Sequence, residues 1–530
     1  MAVEAGLNSG DVIIVGGGPV GMGLAIDLAL RGVRSTVVER ASTLHRIPKG
    51  QNLTQRTGEH FRAWGVSREI RDASPIPHAY GSAGVTAYGT FLGGYSYDWF
   101  RRGAVNQFYF AENERLPQYD TERVLRARAA QLDAIEVLYD RTVTGVSQDG
   151  DGVTVEFVED GKTRALRAPY AVGCDGSRSL VREAEGIEQD VDPHDRLMVL
   201  LVFRSKELHD LLERYPGKSI YNVLKPELDG YWQFLGRVDL GETWFYHAPV
   251  PMGTTAENTD FTAHLHAAVG ATIAVEFDHI GFWDLRIAVA RTYRNGRVFI
   301  AGDAAHSHPP YGGYGVNTGF DDIRNLGWKL AGAIAGWAGP GLLDSYSLER
   351  QPVFQSTAEH FIGRMIRDDR DFVRNFSPDK DKDAFEAEWA RRASGGNADV
   401  TDYVPNYAGS PIVWGPDGAR CGAQGEHRMT ARAGFHLAPQ ALSSGRDLFD
   451  ALGSGFALIS LDGDPAVASA FQAAASEHGV PFTVIADSRD GGREAYEAAY
   501  VLVRPDLFVA WAGDETEGNE AALLARSVGA

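Results

Sequence analysis

Val15-Gly16-Gly17-Gly18-Pro19-Val20-Gly21-Met22-Gly23, residues 15–23, is the stretch that decides the fold. Ahead of it, Asp11-Val12-Ile13-Ile14-Val15 is a short β-branched apolar run, the signature of a fully buried strand. Behind it, Ala25, Leu28 and Ala29 recur at helical spacing up to Gly32, a residue suited to a helix C-terminus. Strand, glycine turn and helix are what a dinucleotide pyrophosphate needs. Gly16 permits the tight turn, Gly18 lets backbone approach the phosphates, and Gly21 lets helix and strand pack closely. The helix N-terminus adds free N–H groups and a partial positive charge. A second strand, Ser35-Thr36-Val37-Val38, ends at Glu39, 18 residues after Gly21, where an acid accepts hydrogen bonds from a ribose.

At 530 residues the chain is too long for one core, and two or three domains are expected. Its net charge of −20 repels phosphate backbones and anionic lipid, so neither nucleic acid nor a membrane surface is an expected partner. It contains no apolar run of about 18 residues, and residues 1–10 lack the basic and apolar regions of a signal peptide. Cys174 and Cys421 form no C-x-x-C pair and suit a reducing compartment, so a cytoplasmic location is predicted.

Beyond Glu39, a helix carrying Phe61 and Trp64 is expected, then a Gly-, Tyr- and Phe-rich stretch with short strands at 85–97 and 107–110. Leu116-Pro117-Gln118 leads into a further helix, and alternating strands follow around the Asp149-Gly150-Asp151-Gly152 turn. The apolar strand Tyr170-Ala171-Val172 runs into Cys174-Asp175-Gly176-Ser177-Arg178-Ser179. From about 190 to 290 the pattern is strand-like and aromatic, and Arg297 to Asp303 returns to the first domain. Residues 319–337 read as a long helix, 378–398 as an exposed charge-rich segment, and 436–530 as a new βα unit. These divisions place the dinucleotide-binding domain at 1–190 and 291–370, and an inserted substrate domain at 191–290 with contributions from about 75–115. A linker is expected over 371–435 and a last domain over 436–530.

Three separated motifs coincide: Gly16 to Gly21, Asp175-Gly176, and Gly302-Asp303-Ala304-Ala305-His306 through Pro309-Pro310. Together they resemble, in the same order, the class A flavoprotein aromatic monooxygenases, over residues 11 to about 370. Asp447-Leu448-Phe449, the Leu502-to-Asp506 turn and Val509-Ala510-Trp511 are similar to the thioredoxin-like C-terminal domain of the phenol hydroxylase branch. The resemblance implies an α/β fold with a Rossmann-like FAD-binding domain, an inserted sheet-rich substrate domain and a redox-inert thioredoxin-like tail. It implies bound FAD, NADPH or NADH as co-substrate, O2, and hydroxylation of a phenolic ring through a flavin C4a-hydroperoxide. A homodimer is one expected state of assembly.

Within that resemblance, Gly16, Gly18, Gly21, Glu39, Arg40, Arg46, Gln118, Asp175, Asp303, Gly315 and Asn317 are the cofactor-binding candidates, and Arg182 accompanies Asp175. Asp303 would meet the ribityl chain, Gln118 the flavin, and the helix after Asn317-Thr318 would turn its positive end to the flavin pyrimidine. Tyr314 stands where the family usually has Gln, and Gln51-Asn52 stands where the phenol hydroxylase branch carries an acid. No residue that promotes phenol deprotonation is identified; Tyr221, Tyr231, His247 and Arg291 are candidates. Asp175-Gly176 also suits a plain turn, and Cys174 suits a small buried residue. His306 and His308 have no third ligand spaced to join them, so no metal site is predicted. The same fold also serves oxygenation of a larger aromatic polyketide, by hydroxylation or Baeyer–Villiger insertion. A non-catalytic FAD-binding or assembly protein is the reading from another class.

Overall fold

A computed structural model describes residues 10–80, 83–395 and 398–530. The run Val12–Val15 forms the central strand of a six-stranded sheet, fully buried on both faces. It pairs in parallel with Ser35–Val38 on one side and Tyr170–Gly173 on the other. Chain order reverses at that strand, so the carboxyl ends of its neighbours open a crevice beside the glycine turn. Helix Pro19–Ala29 covers one face and packs on helix Gly315–Ala335.

The inserted domain is an eight-stranded sheet in the order His306–Ser307, Glu276–Ala290, Gln189–Arg204, Thr243–Pro251, Gln233–Arg237, Ile220–Leu224, Gly84–Tyr88, Ser96–Trp99. Strands Gly84–Tyr88 and Ser96–Trp99 therefore belong to the same sheet. Period-two alternation divides its faces between two cores. Met198, Leu200 and Val202 face one core, whereas Val199, Leu201 and Phe203 face the other. The short strand His306–Ser307 ties this sheet directly to the Gly302–Ala304 segment of the first domain.

Three local expectations are corrected. The long helix starts at Gly315 rather than near 319, because Tyr314 takes the N-cap position and Asn317 and Thr318 fall in the first turn. Residues 107–110 contain no strand; a 3₁₀ helix occupies Arg102–Phe108. The charged segment after 378 contains helix Lys382–Gly395, whose Phe385 and Trp389, four residues apart, bury one face against Tyr88, Tyr95 and Phe372. Within 371–435 the chain is likewise anchored, with Tyr403–Asn406 paired to Gly422–Gln424 and Tyr403 packed on Tyr314.

The C-terminal unit is a thioredoxin-like mixed sheet in the order Phe482–Asp487, Phe456–Leu461, Tyr500–Val503, Val509–Gly513, with helices Pro465–His478 and Glu520–Ser527. Its turn Arg504-Pro505-Asp506 plugs into the first domain. Arg504 donates to Glu349 at 2.6 and 2.9 Å, and Glu349 also accepts from Lys329 at 2.7 Å, Asn325 at 2.6 Å and Ser410 at 2.6 Å. Asp506 accepts from the same Arg504 at 3.0 and 2.7 Å, so two cations and two carboxylates, all buried, compensate one another away from water.

Candidate active site

Gly16 adopts φ +103°, and a Cβ at Gly21 would lie 1.9 Å from the Gly16 carbonyl oxygen, so both positions demand glycine. A Cβ on Gly18 would instead meet nothing within 4 Å and point into open space. Gly18 is also the N-cap of the next helix, which has no side-chain cap. Its free N–H groups are thus available to an anion in that space. The carboxylate of Glu39 accepts from Gly17 N at 2.5 Å and Ala41 N at 2.8 Å, which locks it at the rim of the same space.

Across the crevice, Asp175 accepts from Ser179 Oγ at 2.6 Å and Val181 N at 3.1 Å and so holds its own turn. Arg182 donates to Ser177 O at 3.3 Å and Ala304 O at 3.0 Å, fastening that turn to the Asp303 segment. Asp303 projects into the crevice with no protein partner among the described residues, open to a ligand yet walled by protein. The resulting desolvation raises its carboxyl above the ordinary carboxylate range, against the opposing pull of His306 and Lys49. Beneath it, Asp322 accepts from Gly302 N at 3.0 Å, His306 Nε2 at 2.7 Å and Arg350 Nε at 2.8 Å. His306 also stacks on Phe354 with ring centres 3.9 Å apart, which is a packing role.

The third wall is the N-terminus of helix Gly315–Ala335, where Gly315 and Val316 line the crevice. Asn317 does not reach it. Its Oδ1 accepts from Thr54 N and Thr57 Oγ1 at 2.8 and 2.6 Å, and its Nδ2 donates to Asn52 O and Gly313 O at 2.8 and 2.6 Å. Asn317 is therefore a clip joining the loops on either side of the helix end. Gln118 accepts from Gly50 N at 3.2 Å and donates to Glu122 at 2.7 Å, while lining the crevice.

These walls enclose one continuous cleft of about 1100 Å³. It brings together Gly16, Gly18, Glu39, Arg40, Gln118, Asp175, Asp303 and Gly315. Gly21 supports it from behind, and Arg46 lies over the ring of Tyr119 at 5.7 Å. At its far end the cleft opens into a room on one face of the eight-stranded sheet, walled by Leu200, Phe234, Phe245, Trp283 and His247. Burial holds the His247 imidazole down at about 3, so the ring is neutral at physiological pH.

The other three candidates for the chemistry stand elsewhere. Tyr221 faces the opposite core of the sheet and hydrogen-bonds Lys218 O at 2.8 Å. Tyr231 hydrogen-bonds His194 at 2.6 Å under the guanidinium of Arg196. Arg291 is exposed and ion-paired with Glu188 and Asp190. Strand alternation turns Tyr221 away from the cleft, and neither Tyr231 nor Arg291 borders it.

The donor set fits FAD: an open glycine cradle at a helix N-terminus, an acid at the end of the second strand, and the partnerless Asp303 in between. The FAD binding domain family matches residues 9–360, and the C-terminal family of the aromatic-ring hydroxylases matches 430–530. The chain belongs to the FAD-dependent aromatic-ring hydroxylases. Among curated members of that family, a 4-methyl-5-nitrocatechol 5-monooxygenase of Burkholderia sp is 32% identical over 97% of this chain and 96% of its own length. A Streptomyces halstedii protein named a polyketide hydroxylase is 36% identical, and there the match spans 67% of this chain and 64% of the relative. Among solved structures, the substrate-free rebeccamycin biosynthetic enzyme RebC superposes with TM-score 0.79 at 30% identity, over 99% of this chain and 100% of that one. Aklavinone-11 hydroxylase, solved with FAD and aklavinone, gives 0.78 at 27% identity, over 99% of each chain.

Residues that sequence reasoning passes over carry much of the hydroxylase site. Asp322 and Arg350 form the buried support of the Asp303 segment, 28 residues apart in sequence. A charged pair with no periodic signature becomes visible only when the partners meet.

Proposed function

We propose that the chain is an NAD(P)H-consuming monooxygenase that adds one atom of O2 to a phenolic ring, the second atom leaving as water and the nicotinamide leaving oxidised. The observation that carries this reading is the continuity of the dinucleotide cleft with the aromatic room in one cavity. FAD, when bound, supplies the electron transfer and oxygen activation. The chain supplies position and field. The Gly16–Gly21 turn and its helix hold the pyrophosphate, while Glu39 and Asp303 hold the ribose and ribityl hydroxyls. The end of helix Gly315–Ala335 would turn its partial positive charge toward the flavin, favouring negative charge there. Phe234, Phe245 and Trp283 exclude water and stack the ring, and neutral His247 offers it a hydrogen bond.

One feature favours an extended substrate such as an aromatic polyketide. Trp283, at the outer end of the room, is 36% exposed, so the room is not sealed at that end. The named activities of the polyketide-hydroxylase and aklavinone-hydroxylase relatives support this second reading.

The test is NADPH and NADH oxidation by the FAD-loaded protein across phenols, resorcinols and hydroxylated polyketides, with product mass. Stimulated oxidation and a product heavier by one oxygen atom are expected. A protein that binds FAD but oxidises neither nucleotide with any of them refutes the reading and favours a non-catalytic role.

A further inference from the structure

The floor of the cleft is backed by two buried cations that no carboxylate contacts among the described residues. Arg115 and Arg237 are 4% and 2% exposed. Arg115 closes the two-residue strand Glu114–Arg115, antiparallel to Asn52–Leu53, with Arg115 opposite Asn52. Its guanidinium donates to Asn52 Oδ1 at 2.9 Å and Arg237 O at 2.6 Å, and at 3.4 Å to Gln51 Oε1 and Ser219 O. Its buried Nε has no partner among the described residues. Arg237 is bonded to Tyr221 OH at 3.1 Å, His209 Nδ1 at 2.6 Å and Lys218 O at 3.3 Å. Every one of these acceptors is neutral.

The nearby acids are occupied elsewhere. Glu114 pairs with Arg71 at 2.7 Å on the other side of its strand, Asp98 pairs with Lys218 at 2.9 Å, and Glu213 lies 3.8 Å from His209. The titratable groups that act on Arg115 are Tyr221 and Arg237, and burial together with repulsion from Arg237 brings its guanidinium down to about 9. On the cleft side stand Lys49, His279 and Asp303, and no ion pair of Lys49 forms among the described residues. A cation buried without a counter-ion is costly to the fold, so its retention calls for an anion that the protein does not itself supply.

Asn52 transmits that charge into the cleft, which it lines. Arg115 occupies its Oδ1, and Asn317 holds its backbone carbonyl at 2.8 Å, so the orientation of the amide is set. Its Nδ2 has no partner among the described residues and lies beside the Gly313 loop, 3.5 Å from where a Gly313 Cβ would stand. We propose that Asn52, positioned by Arg115, donates a hydrogen bond to the phenolate oxygen of the aromatic substrate, so that the positive field behind the floor ionises the phenol and its proton leaves to water. This rests on the monooxygenase reading of the same cleft. It explains how a site with Gln51-Asn52 in place of an acid promotes deprotonation: the anion is stabilised rather than the proton captured.

The probe is 4-nitrophenol, titrated on the FAD-loaded protein by difference absorbance of its phenolate. Bound to the parent protein, it ionises about one to two pH units below its free value. Asn52→Leu and Arg115→Met each return the midpoint to the free value, while Arg115→Lys, a cation without the planar fork, recovers part of the shift. Asn52→Leu conserves volume and leaves Arg115 in place, so it decides the matter if Arg115→Met fails to fold. A midpoint unmoved by Asn52→Leu overturns the proposal, as does a change confined to the flavin spectrum, which would mean that the amide serves the cofactor. If no phenol perturbs the spectrum at all, the monooxygenase reading falls, and this inference falls with it.

Discussion

Replacing Gly18 by Val separates folding from cofactor binding. The backbone at Gly18 has φ −70° and ψ −174°, ordinary extended geometry that a β-branched residue before proline adopts without strain. A Cβ there meets nothing within 4 Å, so the apoprotein folds, with a loss of about 1 kcal/mol or less from the altered helix start. The two new methyls project into the open space that a pyrophosphate would occupy. Overfilling a close-packed site costs about 1–3 kcal/mol, which lowers FAD affinity about 5- to 150-fold. Gly21→Val is the contrasting variant. Its Cβ falls 1.9 Å from the Gly16 carbonyl oxygen, so the turn must open and the fold loses more than about 3 kcal/mol. FAD titration by quenching of flavin fluorescence, alongside denaturant melts of the apoproteins, reads both effects. Parent-like FAD affinity in Gly18→Val, or equal destabilisation by the two substitutions, would refute the placement of the pyrophosphate.

Glu349→Leu removes the shared acceptor of Arg504 and Lys329, leaving Lys329 buried without its carboxylate and Arg504 with Asp506 alone, which costs about 3–5 kcal/mol in a denaturant melt; a loss below about 1 kcal/mol would mean that the seam is held otherwise. Acid should weaken the protein in two stages. Burial holds His60 at about 4 and His247 at about 3, both below the unfolded histidine value, so stability is lost once the pH falls below about 6.5. Glu59 and Asp27 are raised by burial but lowered more by His436 and Arg56 and by Arg31 and Arg324, to about 2 each. Their contribution, on the order of 3 kcal/mol each, is intact above about pH 4.5 and vanishes toward pH 2; urea midpoints measured from pH 7 to 2 that stay flat would contradict these pairings. His247→Phe keeps the ring volume and removes the hydrogen-bonding nitrogens, so turnover drops about fivefold to tenfold with FAD occupancy unchanged. Arg291→Ala, on the exposed surface, leaves turnover at the parental rate. Steady-state kinetics that rank the two variants the other way round would relocate the substrate room.

Much of the cofactor cleft is legible from Val12 to Glu39 because its requirements are local. A positive φ at Gly16, the close approach at Gly21 and a carboxylate at a strand end are dictated by backbone sterics within a few dozen residues. Asn317 shows the limit of that reading. A polar residue at a helix start facing the flavin was a reasonable expectation, yet all its hydrogen-bonding capacity is spent on Asn52, Thr54, Thr57 and Gly313. Helix Lys382–Gly395 shows another. Its charged positions dominate the composition, while Phe385 and Trp389 alone decide that one face is buried.

The sequence by itself determined the strand–turn–helix that opens the chain, the return at Asp303, and the separate βα unit at the C-terminus, because each depends on periodicity and turn chemistry within one short segment. Tertiary structure alone decided which aromatic residues wall the room, why Tyr221 turns away from it, and how Arg504 and Lys329 are neutralised by Glu349 and Asp506. It also decided that Arg115 is buried behind Asn52 without an acid. Burial and charge compensation are properties of pairs, and apart from the neighbours Arg504 and Asp506 these pairs meet across 20 to 155 residues of chain, beyond the reach of any local pattern.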